Sequence, residues 1–251
     1  MIFDMDGVLT NSKLPIGEEA ARAVNGISVD FEVAIISGSK IEQMKAQLVP
    51  YIDKRILLLP NSGTKMFQFF GGDYNLMYGT AHFTKRLKKE IIEGFKLTRH
   101  ELKIFENTEI YGEQIEDRGS QITFSALGQD APYIRKIAFD PTNERRTRML
   151  QELRKLPVAR EVEFNLGGTT SIDATPLGLN KGKGVERLLD EYKFKPYEAF
   201  FIGDQLDKGG NDYPVAETGV PCFRVFGVPD TTYLCKYLGR TLSAFDYPEV
   251  R

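Results

Sequence analysis

The chain of 251 residues has no tryptophan, only two cysteines and only two histidines. Cys222 and Cys235 are too few for a disulfide framework, and neither stands in a metal-spaced cluster. His82 and His100 are far apart and have no Cys or His neighbour, so a zinc site is not expected. A reducing cytoplasm is therefore the expected setting. A surplus of one charge sign is also missing: 33 Lys and Arg stand against 35 Asp and Glu, for a net charge of −2. That balance gives no reason to expect nucleic acid or an anionic membrane as partner. No apolar run approaches the ~20 residues that cross a bilayer, and stretches such as Phe200-Phe201-Ile202 are strand-sized. No basic segment precedes the opening apolar residues, so they are not expected to be a secretory signal. Repeats and low-complexity segments are absent too. What remains is an ordinary globular composition, long enough for one large domain or two small ones.

What is present starts at once. Met1-Ile2-Phe3-Asp4-Met5-Asp6-Gly7-Val8-Leu9-Thr10 runs from an apolar start into two carboxylates one residue apart, then a glycine. Read as a strand, Ile2-Phe3 is buried in a sheet and Asp4 sits where the strand ends. In open α/β sheets the ligand crevice lies outside the carboxyl ends of the strands. Gly7 lets the chain turn away sharply. Two acids this close call for a cation or a shared proton. Taken alone, the segment also reads as a strand closed by a common Asp-Gly turn; residues further along decide between the two.

The rest of the chain alternates. A short helix over 17–25 is followed by the strand Phe31–Ile36, a Ser37-Gly38-Ser39 turn, a helix over Ile41–Leu48 and a strand over Arg55–Leu59. This alternation argues for a parallel sheet. Ser37 at a helix start suits a phosphate, although a plain capping role explains a lone Ser equally well. Around Tyr78–His82 the pattern changes. A helix over Phe83–Leu97, strand-like pieces at Glu109–Ile115, Gln121–Leu127, Val162–Leu166 and Thr169–Ala174, and a helix over Thr142–Leu156 suggest an inserted α+β unit. Its expected span is 81–177, between core segments 1–80 and 178–251. The α/β pattern then returns with a helix after Lys181-Gly182-Lys183-Gly184, a strand at Ala199–Ile202 and a last strand at Cys222–Phe226.

If these strands are parallel neighbours, Asp4 with Asp6, Ser37, Lys181, and Asp204 with Asn211 and Asp212 converge on one sheet edge. Mg²⁺ prefers carboxylate and carbonyl oxygens. Asp4, Asp204 and Asp212 are candidate ligands, and a lysine would balance the remaining charge. A carboxylate can attack phosphorus to form an aspartyl-phosphate, while a second acid two residues on handles the proton. Cations and N–H groups around the equatorial oxygens then stabilise the transition state.

In these four places the chain resembles the haloacid dehalogenase superfamily of phosphotransferases. Asp4-Met5-Asp6-Gly7-Val8-Leu9-Thr10 is similar to its first motif. The Ser37 turn, the Lys181-Gly182 helix start and Gly203-Asp204…Asn211-Asp212 resemble the other three, in order. The resemblance covers essentially the whole chain and implies a Rossmann-like α/β core, a parallel sheet with helices on both faces, carrying an inserted α+β cap. It implies Asp4 as nucleophile and Asp6 as general acid/base, with Ser37 and Lys181 on the phosphate. It also implies Mg²⁺ held by Asp4, the Asp6 carbonyl and Asp204, with Asn211 and Asp212 beside them. Lys183 is the competitor for Lys181.

A narrower likeness is to eukaryotic-type phosphomannomutases, which share the spaced Gly203-Asp204-x₅-Gly209-Gly210-Asn211-Asp212 loop. In the cap, Gly167-Gly168-Thr169-Thr170-Ser171-Ile172-Asp173 resembles the stretch whose Ser and Asp hold sugar hydroxyls, here Ser171 and Asp173. Arg118 falls where those enzymes bind phosphate, although a surface ion pair with Glu116 or Asp117 also accounts for it. Two departures stand out. Gln129 occupies a second phosphate-binding Arg position, leaving Arg135 or Lys136 to replace it. Ser37 occupies a position that is usually Gly in the mutases and Ser or Thr in phosphatases. The expected activity is phosphoryl transfer on a hexose phosphate, with hydrolysis ahead of mutase chemistry. A non-catalytic phosphoreceiver is less favoured, because a receiver needs neither the cap nor Asp6. A binding protein with a dead site is less favoured again, because every expected catalytic residue is present. The expected partners are a phosphorylated sugar and, through the cap, a second copy of the chain.

Overall fold

The structure, a computed structural model, describes residues 1–11, 13–79, 83–103, 105 and 108–244. The expected core-to-cap boundary between residues 80 and 81 lies outside the described residues.

The first segment contains β1 (Ile2–Asp4), α1 (Glu18–Ile27), β2 (Ala34–Ile36), α2 (Ile41–Leu48), β3 (Leu57–Leu59), β4 (Lys65–Phe70) and β5 (Asp73–Gly79). Next come α3 (Lys85–Leu102), β6 (Ile115–Asp117), β7 (Ile122–Ser125), α4 (Tyr133–Phe139), α5 (Glu144–Leu153), β8 (Val162–Gly167) and β9 (Ser171–Pro176). The last are α6 (Lys181–Tyr192), β10 (Phe201–Gly203), α7 (Tyr213–Ala216), β11 (Cys222–Arg224) and α8 (Val228–Ala244).

The larger sheet has the order β11-β10-β1-β2-β3-β4-β5. Its first five strands are parallel, and β4 and β5 are antiparallel. Strands β1, β2, β3 and β10 are fully buried three-residue pieces without alternation, as a sheet covered on both faces requires. Phe3, Ile35 and Leu58 pack on one face with α1 residues Val24 and Ile27. Ile2, Ile36, Leu59 and Phe201 pack on the other with Val185 and Leu188 of α6. Mostly parallel, with helices on both faces, this is the α/β core expected.

The second sheet is antiparallel, in the order β6-β7-β9-β8, and has its own apolar centre. Phe95 of α3 lies between Phe124 and Phe164, with ring centroids 5.6 Å apart in each pair, and Met149, Leu150 and Leu153 of α5 close the cluster. One expected strand is corrected here. Residues 109–114 do not form a strand, because their backbone follows the 127–130 loop instead. Tyr111 N–H donates to the Leu127 carbonyl (2.8 Å), and Gln129 N–H donates to that of Glu113 (2.9 Å).

Register decides what reaches the active edge. Phe3 pairs with Ile202, and Asp4 with Ile36. The residues leaving β10, β1 and β2 at their carboxyl ends therefore stand side by side, and these are Asp204, Asp4 and Ser37.

Candidate active site

Asp4 is the last residue of β1 and is buried. The chain then turns tightly, Gly7 N–H donating to the Thr10 carbonyl at 2.8 Å. Gly7 has φ of +85°, and a Cβ there would lie 2.5 Å from Asp204 Oδ2. Only glycine allows the first loop and the β10 loop to approach so closely. Asp6 faces the same cleft, its Oδ1 accepting the Lys13 N–H at 3.2 Å.

Lys181 opens α6 and is itself buried. Its ammonium donates to Asp4 Oδ1 (2.6 Å) and Asp212 Oδ1 (2.7 Å). The other Asp212 oxygen accepts the Gln205 N–H at 3.1 Å. Lys183, the competitor, pairs with exposed Glu186 at the surface. A one-turn helix start thus puts one lysine inside and the other outside. Ser37 follows β2, with its N–H on the Leu59 carbonyl (3.0 Å) and its own carbonyl taking the Ser62 N–H (2.8 Å). Its hydroxyl accepts the Ser39 N–H at 3.0 Å and lines the cleft.

Burial sets the electrostatics. It raises the Asp4 carboxyl well above the usual range; Lys181 opposes this, and Asp212 and Asp204 add to it. Burial, then Asp212, pushes Asp204 up to about 6. Asp6 is also raised by burial, with the Lys13 N–H opposing. Burial would pull Lys181 down, but Asp212 and Asp4 outweigh it and hold its ammonium charged. Three carboxylates around one lysine leave negative charge to be matched. Oxygens of Asp4, Asp204 and Asp212 lie within 4.8 Å of one another, and the Oδ1 atoms of Asp204 and Asn211 are buried without a partner. Hard, orphaned oxygens of this kind fit Mg²⁺.

Across the cleft stand residues of the second sheet. Arg118 does pair with Glu116 (2.7 Å), but not at the surface: its side chain is 7% exposed and also donates to the Gly38 carbonyl beside Ser37. Glu116 in turn meets Lys40 at 2.8 Å. Asp173 accepts the Thr123 hydroxyl at 2.6 Å and is raised by burial; it and Ser171 line the cleft. Gln129 lines it too.

Arg135 is a correction. It is exposed and takes no part in the cleft, because one residue along α4 rotates a side chain by about 100°. That rotation brings Lys136 inward instead, buried, with its ammonium 3.4 Å from the Gln129 carbonyl.

Lys13 is the residue that sequence reasoning missed. From the first loop its ammonium crosses the cleft to Gln129, meeting the main-chain carbonyl and, at 2.9 Å, Oε1. Burial, then Lys136 and Arg118, lower it to about 8. Its backbone is left-handed, with φ of 62°, and no local pattern signals that reach.

The fold and this site define an enzyme of the haloacid dehalogenase superfamily. The family model for eukaryotic phosphomannomutase matches residues 22–238, and the chain belongs to that family. Phosphomannomutase 1 of Dictyostelium discoideum is 28% identical over 220 residues, covering 86% of this chain and 85% of its own. Phosphomannomutase of Triticum aestivum is 26% identical over 251 residues, covering 94% and 93%. Among solved structures, IMP-bound Plasmodium falciparum IMP-nucleotidase superposes with a TM-score of 0.70 at 16% identity, over 95% of this chain and 67% of that one. The C-terminal domain of Candida albicans trehalose-6-phosphate phosphatase gives 0.64 at 17% identity, over 95% and 91%. At these identities the two structures speak for the fold alone.

Proposed function

We infer that the protein moves the phosphoryl group of a hexose phosphate by way of Asp4, as a Mg²⁺-dependent mutase of the phosphomannomutase type, with residues 81–177 acting as the substrate-enclosing cap. The observation that carries this reading is the meeting of Lys13, Lys136 and Arg118 in one cleft with Asp4. A mutase must hold the phosphate that is not being transferred, and the absence of an Arg at 129 is offset by two ammonium groups on that residue's carbonyl.

The steps follow from the residues. The Asp4 carboxylate attacks phosphorus, the bond from phosphorus to the sugar oxygen breaks, and Asp6 gives that oxygen its proton. Burial raises the Asp6 carboxyl, which favours its protonated form and suits a proton donor. In the reverse sense Asp6 takes the proton of a second sugar hydroxyl, which attacks the phosphoryl group on Asp4. Lys181 favours the ionised form of Asp4 against its burial and positions it, while Ser37 and the neighbouring N–H groups face the transferred phosphate. Mg²⁺, when bound, supplies positive charge to the phosphoryl oxygens; Asp4, Asp204 and the Asp6 carbonyl would hold it, with Asn211 and Asp212 in support. Hydrolysis is the second reading, favoured by the Ser37 hydroxyl in a place where the mutases it resembles usually carry glycine.

Phosphorus NMR of mannose 1-phosphate with Mg²⁺ and a hexose bisphosphate primer separates the two. Interconversion with mannose 6-phosphate supports the mutase, whereas accumulation of inorganic phosphate alone makes the protein a phosphatase.

Metal binding has its own expected result. Mg²⁺ at about ten times its Kd should raise Tm by roughly 3–5 °C at pH 7.5. Asp204 is raised to about 6, so at pH 5 a proton occupies a ligand and the shift should shrink. Asp204→Asn should abolish it at both pH values. An equal shift in the variant, followed by scanning calorimetry, excludes Asp204 as a ligand.

Lys13 gives a second pH signature. Its ammonium is lost above about 8, so KM for a hexose phosphate should rise above pH 8 while KM for 4-nitrophenyl phosphate stays flat. Lys13→Met should raise the hexose KM roughly ten- to a hundredfold and remove the pH dependence. A lysine with a lowered folded-state pKa disfavours folding while charged, and that cost fades as pH rises from 8 towards its unfolded value. The variant should therefore gain Tm at pH 7 and lose the gain at high pH. A Tm gain that persists unchanged to high pH contradicts this account of Lys13.

A further inference from the structure

Arg146, on α5, is 2% exposed and does not line the cleft. Two side chains, Asp140 and Asn143, fix its guanidinium. Asp140 Oδ2 accepts both its N–H (3.1 Å) and its Nε (3.1 Å), and Asn143 Oδ1 accepts from Nη2. Nη1 is then aimed at the turn between β8 and β9, where it donates to the carbonyls of Gly167 (2.6 Å), Gly168 (2.7 Å) and Ser171 (3.2 Å). Gly167 and Ser171 are the last paired residues of that hairpin, so one side chain holds both ends of its turn. The far side of the same turn lines the cleft, with Thr169, Ser171 and Asp173 facing it. Asp173 leans against the held backbone so closely that a Cβ on Gly167 would lie 2.6 Å from its Oδ2.

A buried ion pair seldom adds net stability over apolar side chains of similar volume, so the fixed fork is better explained by what it orients. We propose that Arg146 is a positioning residue for substrate recognition, holding the 167–171 turn so that Ser171 and Asp173 meet the hydroxyls of the hexose. The role is indirect: Arg146 touches no substrate and supplies no proton. The proposal rests on the reading that a hexose phosphate fills this cleft.

Lysine at this position keeps a charge for Asp140 but lacks the fork that spans three carbonyls. In the full-length Arg146→Lys protein, KM for mannose 1-phosphate should rise roughly ten- to a hundredfold. The kcat/KM for 4-nitrophenyl phosphate, which is too small to need the hydroxyl contacts, should stay within about twofold. Amide hydrogen exchange should accelerate in peptides covering 167–173 and stay unchanged in those covering β1 and β10. Unchanged exchange at 167–173 overturns the positioning role. Faster exchange with an unchanged hexose KM overturns the role in recognition, as does an equal loss on both substrates. If Arg146→Lys does not fold, the double variant Asp140→Asn/Arg146→Gln removes both charges together and is read in the same way. Failure of both to fold makes Arg146 a folding residue and overturns the proposal. A wild-type protein that turns over the aryl phosphate but no hexose phosphate defeats the substrate reading separately, and the exchange measurement still decides whether Arg146 holds the turn.

Discussion

Asp4→Asn should lower turnover by at least about four orders of magnitude, the scale seen when a covalent nucleophile is removed, while leaving the fold intact. An amide cannot form the acyl-phosphate, and no neighbouring group replaces it. Asp204 and Asp212 share the pocket, but Asp212 is bound on both oxygens by Lys181 and the Gln205 N–H. The expected stability change has a definite sign. Asp4 is buried and raised, so its ionised form disfavours folding above its unfolded pKa, and that cost disappears as pH falls. Asparagine removes the charge but keeps the shape. Without metal, the variant should be at least as stable as wild type at pH 7, with the gap closing towards pH 4. Calorimetry across that range, beside the turnover assay, checks both halves. A destabilised variant at pH 7 would mean that the Lys181 contact outweighs the burial of the carboxylate.

Lys181→Met should be the second most damaging change. It leaves Asp4 and Asp212 facing one another in a buried site with no cation between them. Removing one partner of a buried pair costs about 3–5 kcal/mol because the charge left behind is unmatched. The remaining carboxylates should respond by taking up a proton, and a protonated Asp4 is no nucleophile. A loss of about 10²–10³-fold in kcat is expected from the missing cation alone. Adding Asp212→Asn should recover most of the stability and little of the activity, which separates the structural from the chemical role. Lys183→Ala removes an exposed pair with Glu186 and should change neither property appreciably. If Lys183→Ala proved the more harmful of the two, the assignment of the motif lysine would have to be reversed.

The parts of this site legible in the sequence are those that parallel strands deliver. β1, β2 and β10 are unbroken apolar pieces, each followed at once by its polar residue, so reading the strand also reads the position of Asp4, Ser37 and Asp204. Lys181 came with the helix start. The residues on the second-sheet side are less legible in the sequence, because their positions depend on contacts across the cleft. Lys13 meets a partner 116 residues away, and nothing in Asn11-Ser12-Lys13-Leu14 announces it. Arg135 and Lys136 are equally basic, and only the rotation of α4 decides between them. Arg146 reads as one more charge in Glu144-Arg145-Arg146-Thr147-Arg148, yet it is the one buried against three carbonyls. The β4–β5 hairpin did have a signal, the Gly71-Gly72 pair with φ of 62° and 94°, which suits a tight two-residue turn.

Passage of the phosphoryl group through Asp4 would leave a covalent mark on the enzyme. It is tested most directly by acid-quenching the full-length enzyme during turnover of phosphorus-labelled mannose 1-phosphate with Mg²⁺, then mapping the label by peptide mass spectrometry. A phosphate is expected on the peptide carrying Asp4, chased off by unlabelled substrate and absent in Asp4→Asn. A label on any other residue, or turnover at the wild-type rate by Asp4→Asn, would contradict it.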